Sequence, residues 1–333
     1  MQAGSLLMET QSDKQIGGYH GLELPFLESK LDQGTVRTNS ARSAIKVILK
    51  AINAKKVWLP AYTCDAVVEA VKTLDIAFEY YQISPTFDVN AAVRLGKGEY
   101  ILIVDYFGTS GDSVKRSLKR FDHANTIVDC SQAYFSEHTG ALATVWSPRK
   151  FFGLPDGGLL YSDDPRIKHP ESRDNTSETR MGHLISRLTN SPEKAYQKYL
   201  EAEQAIADLP VLGMSGLTER LLHSVDYEAA KIVRAQNARH LHNHLGKYNQ
   251  LDLNFDDTIA PLCYPFLPNV NVAKRVELIK NKVFVPSYWP EVLTRVEEGS
   301  FEWDLVTDCL FLPCDQRYNG NDMDRLVHLL AIK

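Results

Sequence analysis

The sequence predicts an α/β fold, a three-layer α/β/α sandwich around a mostly parallel sheet, followed by a small C-terminal α+β domain. Three observations carry this expectation. Helical and strand periods alternate from residue 42 to 162, which is the signature of repeated βα units. Some of the strand-like runs are apolar throughout, as strands covered on both faces are. Beyond residue 162 a polar, turn-rich stretch leads into long amphipathic helices and then into short strands mixed with helices.

Residues 41–53 place Ile45, Ile48, Leu49 and Ile52 on one helical face. Residues 56–59 form a short buried strand stopped by Pro60, and residues 65–74 form the next helix. Strands are expected at 78–83 and 100–104, and a helix at 113–121. The runs 126–128 and 142–146 lead into Asp129 and Ser147, polar residues at the ends of buried strands, where open α/β sheets place their chemistry. Long helices are expected at 191–209 and 218–245. The last hundred residues should hold strands at 260–264, 282–285 and 309–312, with helices at 272–280 and 321–331.

At 333 residues the chain exceeds what one core usually organises, and we expect a large domain over 1–235 and a small one over 236–333. With 44% hydrophobic and 24% charged residues it reads as an ordinary globular protein. A net charge of -5 and the lack of a dense basic run argue against a nucleic-acid partner. Residues 1–16 lack a basic start followed by an apolar core, and no stretch approaches the roughly 20 apolar residues that span a bilayer. A cytoplasmic protein without a membrane partner is expected. Cys64, Cys130, Cys263, Cys309 and Cys314 lack zinc or redox spacing, so free thiols and no metal site are expected.

Three segments carry chemistry. In Ser147-Pro-Arg-Lys150-Phe-Phe-Gly a lysine follows a buried strand, and the flanking aromatics can desolvate its amine for attack on a carbonyl. A plain surface lysine fits the same segment. Asp129 ends the run 126–128, with the Gln132 amide three residues on. Taken alone, Asp129 is also what a turn-initiating aspartate at a strand exit looks like. Asn39-Ser-Ala41-Arg42-Ser opens a helix, and free N–H groups there suit a phosphate, although simple N-capping also explains it.

Taken in order, these segments resemble fold type I pyridoxal-phosphate enzymes, and within that group the DegT-type sugar aminotransferases. In that family D-x-x-[QH]-A precedes a Schiff-base lysine, and an acidic residue and two glycines follow the lysine at six, seven and eight. Asp129-Cys-Ser-Gln132-Ala133 fits the first pattern, and Lys150 with Asp156, Gly157 and Gly158 fits the second. Val57 to Cys64 is similar to the family's strand, proline and aromatic loop, and Ala41-Arg42-Ser43 stands where the family usually has Gly-Thr. Ser147 has the S-x-x-K spacing used for phosphate in many fold type I aminotransferases.

The resemblance implies pyridoxal 5'-phosphate as cofactor, with Lys150 as its Schiff-base lysine and proton-moving base. It implies Asp129 at the pyridine nitrogen and Gln132 near the phenolic oxygen. Ser147, Ala41 and Arg42 would lie at the phosphate, and Tyr62 or Cys64 against the ring. The partners implied are a small-molecule amino donor such as glutamate, a keto acceptor that is a nucleotide-linked sugar, and a second subunit in a homodimer. Arg317 and Tyr318, on a loop after a short apolar strand, are the candidate substrate-binding pair, although an ion pair of Arg317 with Asp315 or Asp322 that closes the C-terminal domain also fits. The alternatives are a pyridoxal-phosphate enzyme of another reaction type and a cofactor-free binding protein that keeps the fold.

Overall fold

The computed structural model describes residues 16–256 and 258–332. The stretch read for a targeting signal lies, up to residue 15, outside the described residues. The main sheet and its first helices are β1 (Val36–Thr38), α1 (Ala41–Ala51), β2 (Lys56–Pro60), α2 (Asp65–Lys72), β3 (Ala77–Tyr81), β4 (Glu99–Val104), α3 (Gly111–Arg120), β5 (Thr126–Cys130), β6 (Ala143–Trp146) and β7 (Gly158–Tyr161). Next come α4 (Gly182–Ser186), α5 (Pro192–Ala207), α6 (Gly216–Leu222) and α7 (Tyr227–Leu245). The chain ends with β8 (Tyr264–Phe266), α8 (Arg275–Lys280), α9 (Phe301–Thr307), β9 (Leu310–Leu312) and α10 (Gly320–Leu329).

Among the described residues the large sheet has seven strands in the order β1-β7-β6-β5-β4-β2-β3. From β3 to β6 every pairing is parallel, whereas β7 runs antiparallel to both β6 and β1. The central strands β5 and β6 are buried at every position, the polar Thr126, Asp129 and Thr144 included, as strands covered on both faces are. At the edge, β3 alternates exposed and covered residues. Helix α1 begins with Ser40 accepting from the Ser43 N–H at 3.2 Å. Its Ile45, Ile48 and Leu49, with Ile52 just beyond its end, go into the core, each worth about 1.5–3 kcal/mol on burial. A separate antiparallel pair, β8 with β9, lies in the C-terminal part. No helix among the described residues is long and apolar enough to cross a membrane.

Some expectations need correction. The single helix expected at 218–245 is two, α6 and α7. Asp226 stops the first from running on, because its carboxylate accepts from the Ala229 N–H at 2.9 Å and caps α7. No strand forms at 282–285. Lys282 takes a left-handed φ of 62° and the Val283 N–H turns back to the Leu278 carbonyl at 2.9 Å, so the alternating valines are buried without a strand partner. At 260–264 only Tyr264 enters a strand. The Pro261 and Leu262 carbonyls instead accept from the Arg234 guanidinium. Strands β1 and β7, three and four residues long, were not anticipated.

Candidate active site at the strand ends

Parallel strands deliver their last residues to one place. Val104, Asp129 and Val145 are partners across β4, β5 and β6, and Ser147 leaves β6 immediately after. A cavity of about 170 Å³ opens there, and its lining includes Ala41, Arg42, Cys64, Asp129, Gln132, Ser147 and Lys150. Seven of the residues singled out in the sequence are thus brought together from four separate segments.

Asp129 is 5% exposed and its carboxylate accepts from the Ser131 N–H at 2.8 Å. Gln132 is buried; its Oε1 accepts from the Phe107 N–H at 3.2 Å, while its Nε2 has no partner among the described residues. Lys150 ends the tight turn Pro148–Lys150 after β6. It is exposed, not desolvated as its aromatic neighbours suggested, and among the described residues its ammonium makes no hydrogen bond or ion pair. Phe151 and Phe152 turn inward instead. The segment is held by its own backbone: the Phe151 carbonyl accepts from Gln316 Nε2 at 2.9 Å and from Arg234 Nη2 at 3.3 Å.

The first turn of α1 rests against the glycine pair. A Cβ on Gly158 would stand 2.3 Å from the Ser40 carbonyl carbon and 2.5 Å from the Ala41 nitrogen, so only glycine lets β7 begin against the first turn of α1. Gly157, at a φ of 122°, donates its N–H to the Asn39 carbonyl at 2.8 Å. Asp156 is fully buried and anchors the following layer, accepting from the Ser215 N–H at 2.8 Å, from Ser215 Oγ at 2.7 Å and from Thr218 Oγ1. Burial pushes its carboxyl above the usual range in spite of these donors.

Cys64 stands at the cavity wall just before α2. Burial pushes its thiol up; the Lys150 ammonium opposes this and the Asp129 carboxylate reinforces it, so Cys64 is a neutral thiol. Tyr62 does not reach the cavity. Its ring is wholly buried and packs edge-on to Trp289 at 4.8 Å between centroids, and it is Trp289 that forms the wall. The aromatic expected at Tyr62 is therefore supplied from the C-terminal part of the chain. Trp289 holds a left-handed φ of 53°, strained for a bulky side chain by about 1–3 kcal/mol.

Arg317 and Tyr318 are also absent from the cavity lining. The Arg317 guanidinium forks onto Asp315, Nε to Oδ1 at 2.7 Å and Nη2 to Oδ2 at 2.8 Å. Arg317 is thus matched to Asp315, the ion pair that the sequence offered as the alternative to substrate binding. Sequence reasoning missed Arg149, Glu203 and Trp289. Arg149 and Glu203 form an ion pair at the cavity, with Glu203 supplied by α5. Adjacency to Lys150 could have signalled Arg149; no motif pointed to the other two.

Both arginines at this end keep an unmatched atom. Arg42 donates Nη1 to the Ala207 carbonyl at 3.0 Å, yet its Nε is buried without a partner, and so is the Nε of Arg149. With Gln132 Nε2 these make three buried N–H donors on residues lining one cavity. A buried polar group without a partner costs about 1–3 kcal/mol, so the cavity suits an acceptor-rich, anionic ligand.

No protein-family model matches the chain, and no curated protein sequence does. Solved structures do match. NtdA from Bacillus subtilis, with its cofactor PMP bound, has a TM-score of 0.62 at 16% identity, over 89% of this chain and 72% of that one. A DegT DnrJ EryC1 StrS aminotransferase from Brucella abortus gives 0.55 at 15%, over 89% and 85%. PseC from Helicobacter pylori, an aminotransferase involved in the biosynthesis of pseudoaminic acid, gives 0.56 at 15%, over 89% and 85%. The chain has the fold of these enzymes, fold type I of the pyridoxal-phosphate transferases.

Proposed function

We propose that the chain is a pyridoxal-phosphate-dependent aminotransferase of the DegT type, moving an amino group from an amino-acid donor, glutamate, to a nucleotide-linked keto-sugar. The observation that carries this reading is the set of three unmatched buried donors, Gln132 Nε2, Arg42 Nε and Arg149 Nε, around a cavity that also holds the Asp129 carboxylate and the Lys150 amine. The structural likeness to NtdA, which binds PMP, supports the same cofactor here.

The bound cofactor supplies an aldehyde that captures amines and a protonated pyridine ring that draws electrons from the carbon losing its proton. Asp129 would keep the proton on the ring nitrogen, a task that needs a carboxylate which water does not screen. Gln132 Nε2 would donate to the phenolic oxygen. The first N–H groups of α1 at Ala41 and Arg42, the Ser147 hydroxyl and the Arg42 and Arg149 guanidinium groups would hold the phosphate. Lys150 Nζ would anchor the cofactor and serve as the base that moves the proton at the substrate carbon. Cys64, neutral, and Trp289 bound the ring and exclude water. We assign the cofactor to a large unit, 1–235, completed by a small one, 236–333, in a cytoplasmic homodimer.

The test is a pair of half-reactions on protein reconstituted with cofactor. Glutamate alone should bleach the visible band and release one equivalent of 2-oxoglutarate, and a nucleotide-linked keto-sugar should restore the band. Bleaching that yields a decarboxylated or eliminated product would assign another reaction type.

A further inference from the structure

Away from the cavity, α7 carries His240 and His244 one helical turn apart, and their rings stack with centroids 4.9 Å apart and planes 22° from parallel. Helix α10 packs along α7 and brings Asp324 to the same spot, its Oδ1 2.7 Å from His240 Nε2. One ligand atom from each of the three side chains lies within 4.8 Å of the other two. Histidines four apart on a helix face the same way, which makes them a ready chelating pair.

The hydrogen bonds around the cluster favour coordination. His244 Nδ1 lies 2.9 Å from the His240 carbonyl oxygen. A carbonyl only accepts, so Nδ1 carries the proton and Nε2 keeps its lone pair. Metal-binding histidines use this same outer bond to fix their tautomer. His240 Nε2 and the Asp324 carboxylate share one hydrogen, and an ion can take its place while His240 keeps a proton on Nδ1. The neighbouring cation Arg325 is turned away, donating Nη2 to the Asn281 carbonyl at 2.7 Å.

We propose that His240, His244 and Asp324 form a surface site for a first-row transition ion of the zinc type, with water completing the coordination, that clips α7 to α10. Two imidazoles and one carboxylate are a donor set of borderline softness, suited to zinc and poorly suited to magnesium. The proposal departs from the expectation of no metal, which considered cysteine spacing alone; its third ligand is 80 residues from the second and becomes visible only when α10 meets α7. It stands independently of the proposed aminotransferase activity.

Titration calorimetry of the whole 333-residue chain with zinc chloride, in excess magnesium at neutral pH, decides the matter. One equivalent of zinc should bind, and bound zinc should raise the melting temperature. His244→Ala and Asp324→Asn should each weaken that site by at least about tenfold and remove the thermal shift. Residues 244 and 324 are exposed, and circular dichroism checks that both variants stay folded. Absence of zinc binding, or equal affinity in the wild type and in the His240→Ala/His244→Ala double variant, overturns the proposal.

Discussion

Arg234 and Arg317 have their guanidinium groups matched to acceptors, whereas Arg42 and Arg149 stand at the cavity with a buried Nε–H left over. Arg234 is 2% exposed, and its Nε donates to Gln316 Oε1 at 2.7 Å, its Nη1 to the Pro261 carbonyl at 2.8 Å and its Nη2 to the Phe151 carbonyl. Its ring partner is Phe151, 4.6 Å away. Arg317 is occupied by Asp315 on both arms. The same side chain builds structure where its donors are satisfied within the chain; an unmatched Nε–H points to a ligand only where a cavity adjoins it, since Arg37 Nε is also unmatched but does not line this cavity. Glu203 answers only part of the demand at the cavity, since it pairs with Arg149 through Nη2 and leaves Nε unmatched.

That contrast can be broken by substitution. The largest effect is expected from the carboxylate that faces the cavity alongside the arginines. Asp129→Asn should keep the melting temperature and cut half-reaction turnover on the order of 100-fold or more, because an amide cannot hold a proton on the ring nitrogen. Near wild-type turnover would remove Asp129 from the site.

Next in size are the cavity arginines. Arg42→Gln and Arg149→Gln should each weaken cofactor binding by about ten- to a hundredfold, the worth of a charge-assisted hydrogen bond, as read by fluorescence titration of the apoprotein. If inorganic phosphate protects the wild type from heat but not the double variant, the lost contact is to the phosphate. Unchanged affinity in both single variants would show that the unmatched Nε atoms face nothing that matters.

The smallest effect belongs to Arg317→Ala. Its side chain is 63% exposed, and pairs of that kind contribute about 0–1 kcal/mol. The melting temperature should fall slightly and the apparent constant for the amino donor should change by less than about twofold. A clear rise in that constant at unchanged melting temperature would return Arg317 to the substrate and weaken the contrast.

The sequence made legible what is local or buried throughout. Apolar runs at 100–104 and 126–128 could only be central strands, and the spacing of Asp129, Gln132 and Lys150 survives in the structure because strand pairing fixes it: Asp129 faces Val145 five residues before Lys150. Residues that depend on distant partners were not legible. Trp289 replaces Tyr62 at the cavity because the C-terminal segment folds back over the loop after β2, where Arg295 also binds the Thr63 carbonyl at 2.7 Å. Glu203 reaches Arg149 only through the placement of α5. Strand β7 was hidden because Gly157-Gly158 reads as a turn until the close approach of Ser40 explains the second glycine. The fork of Arg317 onto Asp315 was one of the pairings that the sequence offered, since the two lie two residues apart on one loop.

The central claim is that Lys150 holds the cofactor in this cavity. Borohydride reduction of the reconstituted protein, followed by peptide mass spectrometry, tests it most directly. The phosphopyridoxyl adduct should lie on the peptide containing Lys150, in one copy per chain, and Lys150→Ala should yield none and show no transamination. An adduct on another lysine, or one that persists in Lys150→Ala, would contradict the account.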